Sequence, residues 1–454
     1  MTAFLPSKPP SLWRVYLMFL GPMILSNILQ GLSGTLNGVF IGQMLGTHAL
    51  ASVAGMFPII FFFISLVIGL GAGASVLVGQ AWGAREPGKV RTITGTALAL
   101  GALIGLVAAV LGAMFAREAM VALGTPADVL EDALRYARVM MLMMPVLLVF
   151  ILFTQLLRGV SDTISPLLAL LISTTTGLIL TPAFIQGWLG LPRLGILSAA
   201  VASLLSTMAA MAFLAVRLRR LGHVMAPNRK LLAAFRLDRT ILVSVFRIGL
   251  PTGVQMVVMS LSQLVILALV NQHGSQATAA YGAVTQVVNY VQFPALSIAI
   301  TASILAAQAI GEGATERLGA ILSTGLWLNV AITGSFVLLG YALSQTLLGL
   351  FLTDPAVRAQ GGHLLHIMLW SLLVFGFQAM VSGIMRASGD VLVPTGITIF
   401  CILVVQMGVA WALNRRIGLE GIWIGFPVAY LAMLALQTVY YRGVWRHRTI
   451  ERLV

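Results

Sequence analysis

The sequence predicts an all-α polytopic membrane protein, with twelve transmembrane helices in two six-helix bundles related by a pseudo-two-fold axis along the membrane normal. Three observations predict it. Of the 454 residues, 59% are hydrophobic and only 9% charged, against roughly 25% charged in an ordinary soluble domain. Apolar runs of about twenty residues or more, each long enough to cross about 30 Å of hydrocarbon, recur from end to end. The two halves of the chain also repeat each other's motifs at a nearly constant offset. The alternating ten-residue segments of a transmembrane β-barrel are absent.

Taken in order, span 1 is expected near 13–40, after the proline-rich "MTAFLPSKPPSLWRVY", whose following apolar run is too long for a cleaved signal peptide. Span 2 (48–80) ends in Gln80-Ala-Trp-Gly83, and span 3 (92–116) lies between Arg91 and Arg117. Spans 4 (133–157) and 5 (164–186) flank the corner "LRGVSDTISP", and span 6 (194–217) runs into Arg217, Arg219 and Arg220. The longest polar interruption follows, "RLRRLGHVMAPNRKLLAAFRLDRT" (217–240), in which "KLLAAFRL" has the pattern of a short amphipathic helix suited to anionic headgroups. Spans 7 (241–270) and 8 (277–309) come next, the latter ending in Gln308-Ala-Ile-Gly311. Span 9 (318–349), span 10 (362–386), span 11 (391–413) and span 12 (420–442) complete the chain, with the corner "MRASGDVLVP" between spans 10 and 11. Several runs exceed the minimal length, which predicts tilt or extension beyond the lipid.

Residues 1–217 therefore read as an N-lobe, 218–240 as a cytoplasmic linker and 241–454 as a C-lobe. The net charge of +14 is distributed as orientation requires rather than gathered into a nucleic-acid-binding domain. Placing the N-terminus inside puts Lys8, Arg14, Arg85, Lys89, Arg91, Arg158, Arg317, Arg386, the linker and the C-terminal arginines on the cytoplasmic side. Only Arg117, Arg135, Arg138, Arg193, Arg358, Arg415 and Arg416 remain outside. The expected location is the cell (inner) membrane, with both termini cytoplasmic. Cys401 is the only cysteine, so neither an intramolecular disulfide nor a cysteine metal cluster can form.

The repeat rests on four matches. Arg158 and Arg386 lie 386 − 158 = 228 positions apart, each followed four residues on by Asp and eight on by Pro. "SVLVGQAWGA" (75–84) matches "SILAAQAIGE" (303–312), "LGTPADV" (123–129) matches "FLTDPAV" (351–357), and Pro22 matches Pro251. Six spans per half is an even number, so both halves enter the membrane from the same side. The charged corners are expected to pair internally, Arg158 with Asp162 and Arg386 with Asp390, with each proline in the first turn of the next span.

Together these motifs, with "VFIGQMLGTHALASVAG" leading into span 2, resemble the multidrug and toxic-compound extrusion (MATE) family over essentially the whole chain. The resemblance implies secondary-active efflux of amphipathic organic molecules, coupled to H+ or Na+, by a V-shaped pair of lobes around a central cavity that works by alternating access. Where many such proteins carry Asp in span 1, this chain has Asn37. In place of Asn-x-x-x-Asp-Pro in span 5 it has Gly177 and Thr181, and Met259 and Phe375 stand near the acidic places of spans 7 and 10. Every Asp and Glu falls in a loop, a terminus or a span end. The usual coupling device, a buried carboxylate with a raised pKa, is thus missing. The titrating groups left for proton coupling are at span ends, such as Asp390, Glu312 and His273; Asn37 and Thr181 mark the expected coupling region.

Neutral polar faces remain in the interior. In span 1, Asn27, Gln30, Gly34 and Asn37 fall within about 80° of arc at about 100° per residue. Gln255, Met259 and Ser262 share a face of span 7 with Gln263 at its margin; Gln286, Asn289, Tyr290 and Phe293 do so in span 8, and Ser371, Phe375, Gln378, Ser382 and Met385 in span 10. Amides glue helices together for about 0.6 kcal/mol each, but beside Met and aromatic rings they also suit a promiscuous pocket. The expected substrate-binding residues are Asn27, Gln30, Asn37, Gln255, Met259, Gln286, Asn289, Tyr290, Phe375 and Gln378, and neutral or zwitterionic amphiphiles fit them better than strong cations.

Other classes fit less well. A lipid or lipid-linked sugar flippase needs cationic groups for a pyrophosphate, and no Arg or Lys lies mid-span. "GQAWGAREPGKVR" lacks the Asp-Arg pair of a major-facilitator loop. "GLGAGAS" (69–75) speaks for close helix packing rather than phosphate binding, His363 and His366 make a poor metal site, and no catalytic set stands out. The chain is expected to be no enzyme, to use no cofactor, to act as a monomer among membrane lipids and to have small organic molecules as partners.

Overall fold

The computed structural model describes residues 11–122 and 130–454, so the repeat match at 123–129 and the N-terminal prolines lie outside the described residues. Twelve of its helices are long and apolar enough to cross a membrane, in the order expected. Most overrun their apolar cores: span 2 forms Thr47–Gly83, span 3 Pro87–Ala122 and span 8 Ser275–Glu312. Backbone hydrogen bonding continues past the hydrocarbon boundary because an α-helix satisfies its own polar groups.

Spans 9 and 11 are not regular throughout. Span 9 widens to π-helical turns at Asn329–Thr333 and span 11 at Cys401–Gln406. In span 9 the cause is visible. Asn329 Nδ2 donates to the Leu373 carbonyl at 3.0 Å while its Oδ1 accepts from Thr333 at 2.9 Å, so a buried amide braces the widened turn against span 10.

Two compact units emerge, and their borders are not those of the linker. One, the C-terminal unit, holds the start of span 1 up to Ile24 together with Val254–Val454; the other, the N-terminal unit, holds Leu25–Gly253. Spans 1 and 7 each change unit part-way, where the expected lobes keep both whole. Packing explains the exchange. In the C-terminal unit the Tyr16 hydroxyl donates to the Ile321 carbonyl at 2.8 Å and Thr301 to Met23 Sδ at 3.5 Å. In the N-terminal unit the start of span 7 lies so close to span 2 that a Cβ on Gly69 would stand 2.2 Å from the Gly253 nitrogen. The small residues of "GLGAGAS" accordingly serve close helix packing.

The paired corners differ from expectation in both copies. Arg158 donates to Gln155 Oε1 at 3.2 Å, while Asp162 accepts the Ser165 amide at 2.9 Å and lies 3.9 Å from His223 Nε2. Asp390 accepts from the Tyr440 hydroxyl at 2.7 Å and from Arg448 at 3.3 Å rather than from Arg386. The reason is local. An i,i+4 pair needs a continuous helix, but span 4 ends at Gly159 and span 10 at Ala387, and Ser161 (φ 68) and Gly389 (φ 86) then turn the chain. Pro166 and Pro394 do sit in the first turns of spans 5 and 11.

Candidate functional site

Within the C-terminal unit, four spans converge on a small cleft, partly open to solvent, whose lining mixes neutral polar and apolar side chains. Span 7 contributes Gln255, Met259, Ser262 and Gln263, and span 10 contributes Phe375 and Gln378. Span 11 adds Thr398, Ile402 and Gln406, and span 12 adds Phe426, Tyr430 and Met433. The lining holds four glutamines and no charged side chain.

Helical repeats place these groups. Residues 255, 259 and 262 stand one turn apart on one face of span 7, and 426, 430 and 433 repeat that spacing on span 12. Ile402 and Gln406 sit on the widened turns of span 11, where π-helical geometry re-aims side chains and recurs at functional sites. Gly425 lets span 12 press against this stretch, since a Cβ there would be 2.8 Å from the Gln406 carbonyl. Lower on the same two helices Gln437 Nε2 donates to Thr398 Oγ1 at 3.1 Å. The Phe375 and Tyr430 rings are 5.3 Å apart and tilted, giving the cavity an aromatic wall.

The polar chemistry is under-satisfied. Gln255 Oε1 and Ser262 Oγ are buried and have no hydrogen-bond partner among the described residues. A buried acceptor without a partner costs about 1–3 kcal/mol, so two such groups facing one cavity are poised to bond a guest that brings donors.

A second polar contact lies in the N-terminal unit. Thr181, which is buried, donates to Asn37 Oδ1 at 3.4 Å, bringing spans 1 and 5 together at the two positions expected to mark coupling. Of the expected binding residues, Gln255, Met259, Phe375 and Gln378 share the cavity. Gln286, Asn289 and Tyr290 do not line it. Gln286 is half-buried, Asn289 is exposed, and Tyr290 packs edge-on against Phe293 at 5.7 Å. Asn27 is half-buried and Gln30 exposed, both in the N-terminal unit. Sequence reasoning missed spans 11 and 12. The signal was present in span 11, since Thr398, Ile402 and Gln406 follow at i, i+4 and i+8 and span about 80° of arc.

His363 and His366 each have a local partner: His363 Nδ1 is 3.1 Å from Glu420, and His366 Nε2 is 3.2 Å from Ser344 Oγ. Among the span-end titratable groups, Glu312 pairs with Arg317 at 2.7 Å and His273 meets Asn414 Oδ1 at 2.6 Å.

A family model described as MatE matches residues 22–183 and again 251–412, one copy in each half of the chain. The chain belongs to the MatE family. Its relatives include the probable multidrug resistance protein YoeA of Bacillus subtilis, 40% identical over 98% of this chain and 96% of that protein. The multidrug export protein MepA of Staphylococcus aureus is 25% identical over 94% of this chain and 93% of its own. Among solved structures, a mutant of the Vibrio cholerae MATE transporter VcmN shares the fold with a TM-score of 0.87 at 19% identity, covering 97% of this chain and 98% of that one. The duplicated match accounts for the recurring corners and the paired Gln-Ala-x-Gly endings of this MatE protein.

Proposed function

We propose that this protein is a secondary-active exporter of amphipathic organic compounds, working by alternating access in the cytoplasmic membrane and coupled to an inward cation gradient. The observation that carries the reading is the neutral, amide-rich and aromatic-walled cavity in the C-terminal unit of a MatE-family chain. Amides accept and donate, so Gln255, Gln263, Gln378 and Gln406 can each meet guests of either kind. Met259 and Met433 repack around different shapes, and Phe375 with Tyr430 supplies a flat apolar wall. The names of YoeA and MepA, which carry multidrug resistance and multidrug export, support the same reading.

The lining also biases the guest. With no carboxylate in the cavity, a desolvated cation would lack a counter-charge and would be bound at a cost. Neutral and zwitterionic amphiphiles are therefore the favoured class. No Arg or Lys lines the cavity either, so a pyrophosphate-linked lipid is the poorer fit. Coupling falls to the Asn37–Thr181 region together with span-end groups such as Asp390, Glu312 and His273.

Purified protein in liposomes tests this. Proton and sodium gradients are imposed separately while movement of a zwitterionic and a cationic fluorescent amphiphile is followed. The zwitterion should move faster under at least one gradient, and no response to either gradient would end the antiport reading.

A further inference from the structure

The linker between spans 6 and 7 is built into the N-terminal unit rather than hung between helices. Met225, Ala226 and Leu231 are buried. Arg91 Nε donates to the Val224 carbonyl at 3.2 Å, and Thr96 Oγ1 to the Arg236 carbonyl at 2.8 Å. The approach at Ala234 is closest: a Cβ on Gly95 would stand 2.1 Å from its carbonyl oxygen. The linker thus lies along span 3 at residues 95 and 96.

That position fixes a depth. Span 3 begins at Pro87 and carries its last charge at Arg91 before an uncharged run that ends at Arg117. Residues 92–116 cover about 37 Å at about 1.5 Å per residue, enough for the hydrocarbon core. Gly95 and Thr96 lie in the first turn or so of that run, so Ala234 and Arg236 sit where hydrocarbon begins. At this level Leu232, Phe235 and Leu237 are 65%, 46% and 50% exposed. Arg229, Lys230, Arg236 and Arg239 are also exposed and form no ion pair among the described residues. The nearby carboxylate, Asp238, is engaged in capping the Thr240 and Ile241 amides at 2.9 and 3.2 Å.

We propose that residues 229–239 are an interfacial anchor: Leu232, Phe235 and Leu237 enter the headgroup–acyl boundary of the cytoplasmic leaflet, and the four cations hold anionic phospholipid headgroups. Apolar groups at interface depth lower their free energy by leaving water, and unpaired cations beside them attract anionic lipid over about a Debye length. A connector in bulk water would gain nothing from three large exposed apolar side chains set between four cations.

The test uses the full-length protein and its single cysteine. In a Cys401→Ala background, Phe235→Cys is labelled with a nitroxide and reconstituted in phosphatidylcholine vesicles with and without phosphatidylglycerol. Accessibility to oxygen is compared with accessibility to a water-soluble nickel chelate. Oxygen should win, and by several-fold more when phosphatidylglycerol is present. Combining R229Q, K230Q, R236Q and R239Q should abolish the lipid dependence, and Gly95→Val, which lifts the linker, should expose the label to nickel. Should labelling at 235 disturb folding, Leu232→Cys reads the same depth. A label reached equally by nickel in both vesicle types would overturn the proposal, as would one whose depth ignores both phosphatidylglycerol and the neutralised cations.

Discussion

Replacing Ser262 by Ala separates a binding group from interhelical glue. The Ser262 hydroxyl is buried, faces the cavity and has no protein partner among the described residues. Ser65 in span 2 is its control, an equally unpartnered buried hydroxyl that is not among the cavity-lining residues. Removing an unsatisfied buried hydroxyl returns about 1 kcal/mol or more of desolvation cost, and Ala gains a few tenths of a kcal/mol over Ser in helix propensity. Both variants should therefore be more stable than the parent, by about 1 kcal/mol. Their effects on binding should diverge. If a guest bonds Ser262, its loss costs about 0.5–1.5 kcal/mol of affinity, or roughly two- to tenfold. Thermal unfolding in detergent reports the first quantity, and fluorescence titration of an amphiphile in nanodiscs the second. Ser65→Ala should leave affinity unchanged. A less stable Ser262→Ala with unaltered affinity would show that the hydroxyl holds helices together, and the case for a binding cavity would fall with it.

Three further outcomes are expected. Asn37→Asp places a titratable carboxyl in a half-buried site beside the Thr181 hydroxyl; the pH profile of transport should shift, and an unchanged profile would remove this pair from the coupling region. Gly69→Ala puts a methyl 2.2 Å from the Gly253 nitrogen, where ordinary contact begins at 3.4 Å, so it should destabilise by about 1–3 kcal/mol; Gly38→Ala, with nothing within 4 Å, should stabilise its helix by up to about 1 kcal/mol, and equal melting temperatures would refute the packing argument. His223 is held below its usual value of 6.5, first by burial, with Asp162 opposing. The unfolded linker then takes up a proton before the folded one, so its docking is full above about pH 6.5 and weakens as pH falls. Protection of the Val224–Ala226 amides, taken relative to their intrinsic exchange rate at each pH, should fall from pH 7 to 5 in the parent and stay flat in His223→Gln.

Much of the architecture was legible because hydrocarbon imposes a coarse rule: long uncharged runs between basic loops leave little choice but spanning helices. The site was legible only in part. Periodicity shows that Gln286, Asn289 and Tyr290 share a face of span 8, but not what that face meets. Thr398, Ile402 and Gln406 share an arc of span 11, but periodicity gives no warning that the span widens between Cys401 and Gln406 or that this arc meets spans 7, 10 and 12. The corner ion pairs failed for a related reason. Spacing of four residues brings Arg and Asp together only if the helix continues, and the turns at Ser161 and Gly389 end it.

The duplicated corners also diverged in how they are held, and this bears on mechanism. Arg217 and Trp445 occupy equivalent places, 445 − 217 = 228, and each donates an N–H to a serine hydroxyl of its own corner, at 3.1 Å to Ser165 and at 2.9 Å to Ser388. The carboxylates beside them are held differently. Asp162 faces a histidine, while Asp390 has a tyrosine hydroxyl and an arginine. Arginine stays charged across the physiological range and histidine does not, so a fall in pH alters the clamp of one corner and leaves the other as it was. That difference places the expected pH response at the corner between spans 4 and 5. Exchanging the chemistry, with His223→Arg in one corner and Arg448→His in the other, should move the pH response of hydrogen exchange from the linker to the C-terminal segment.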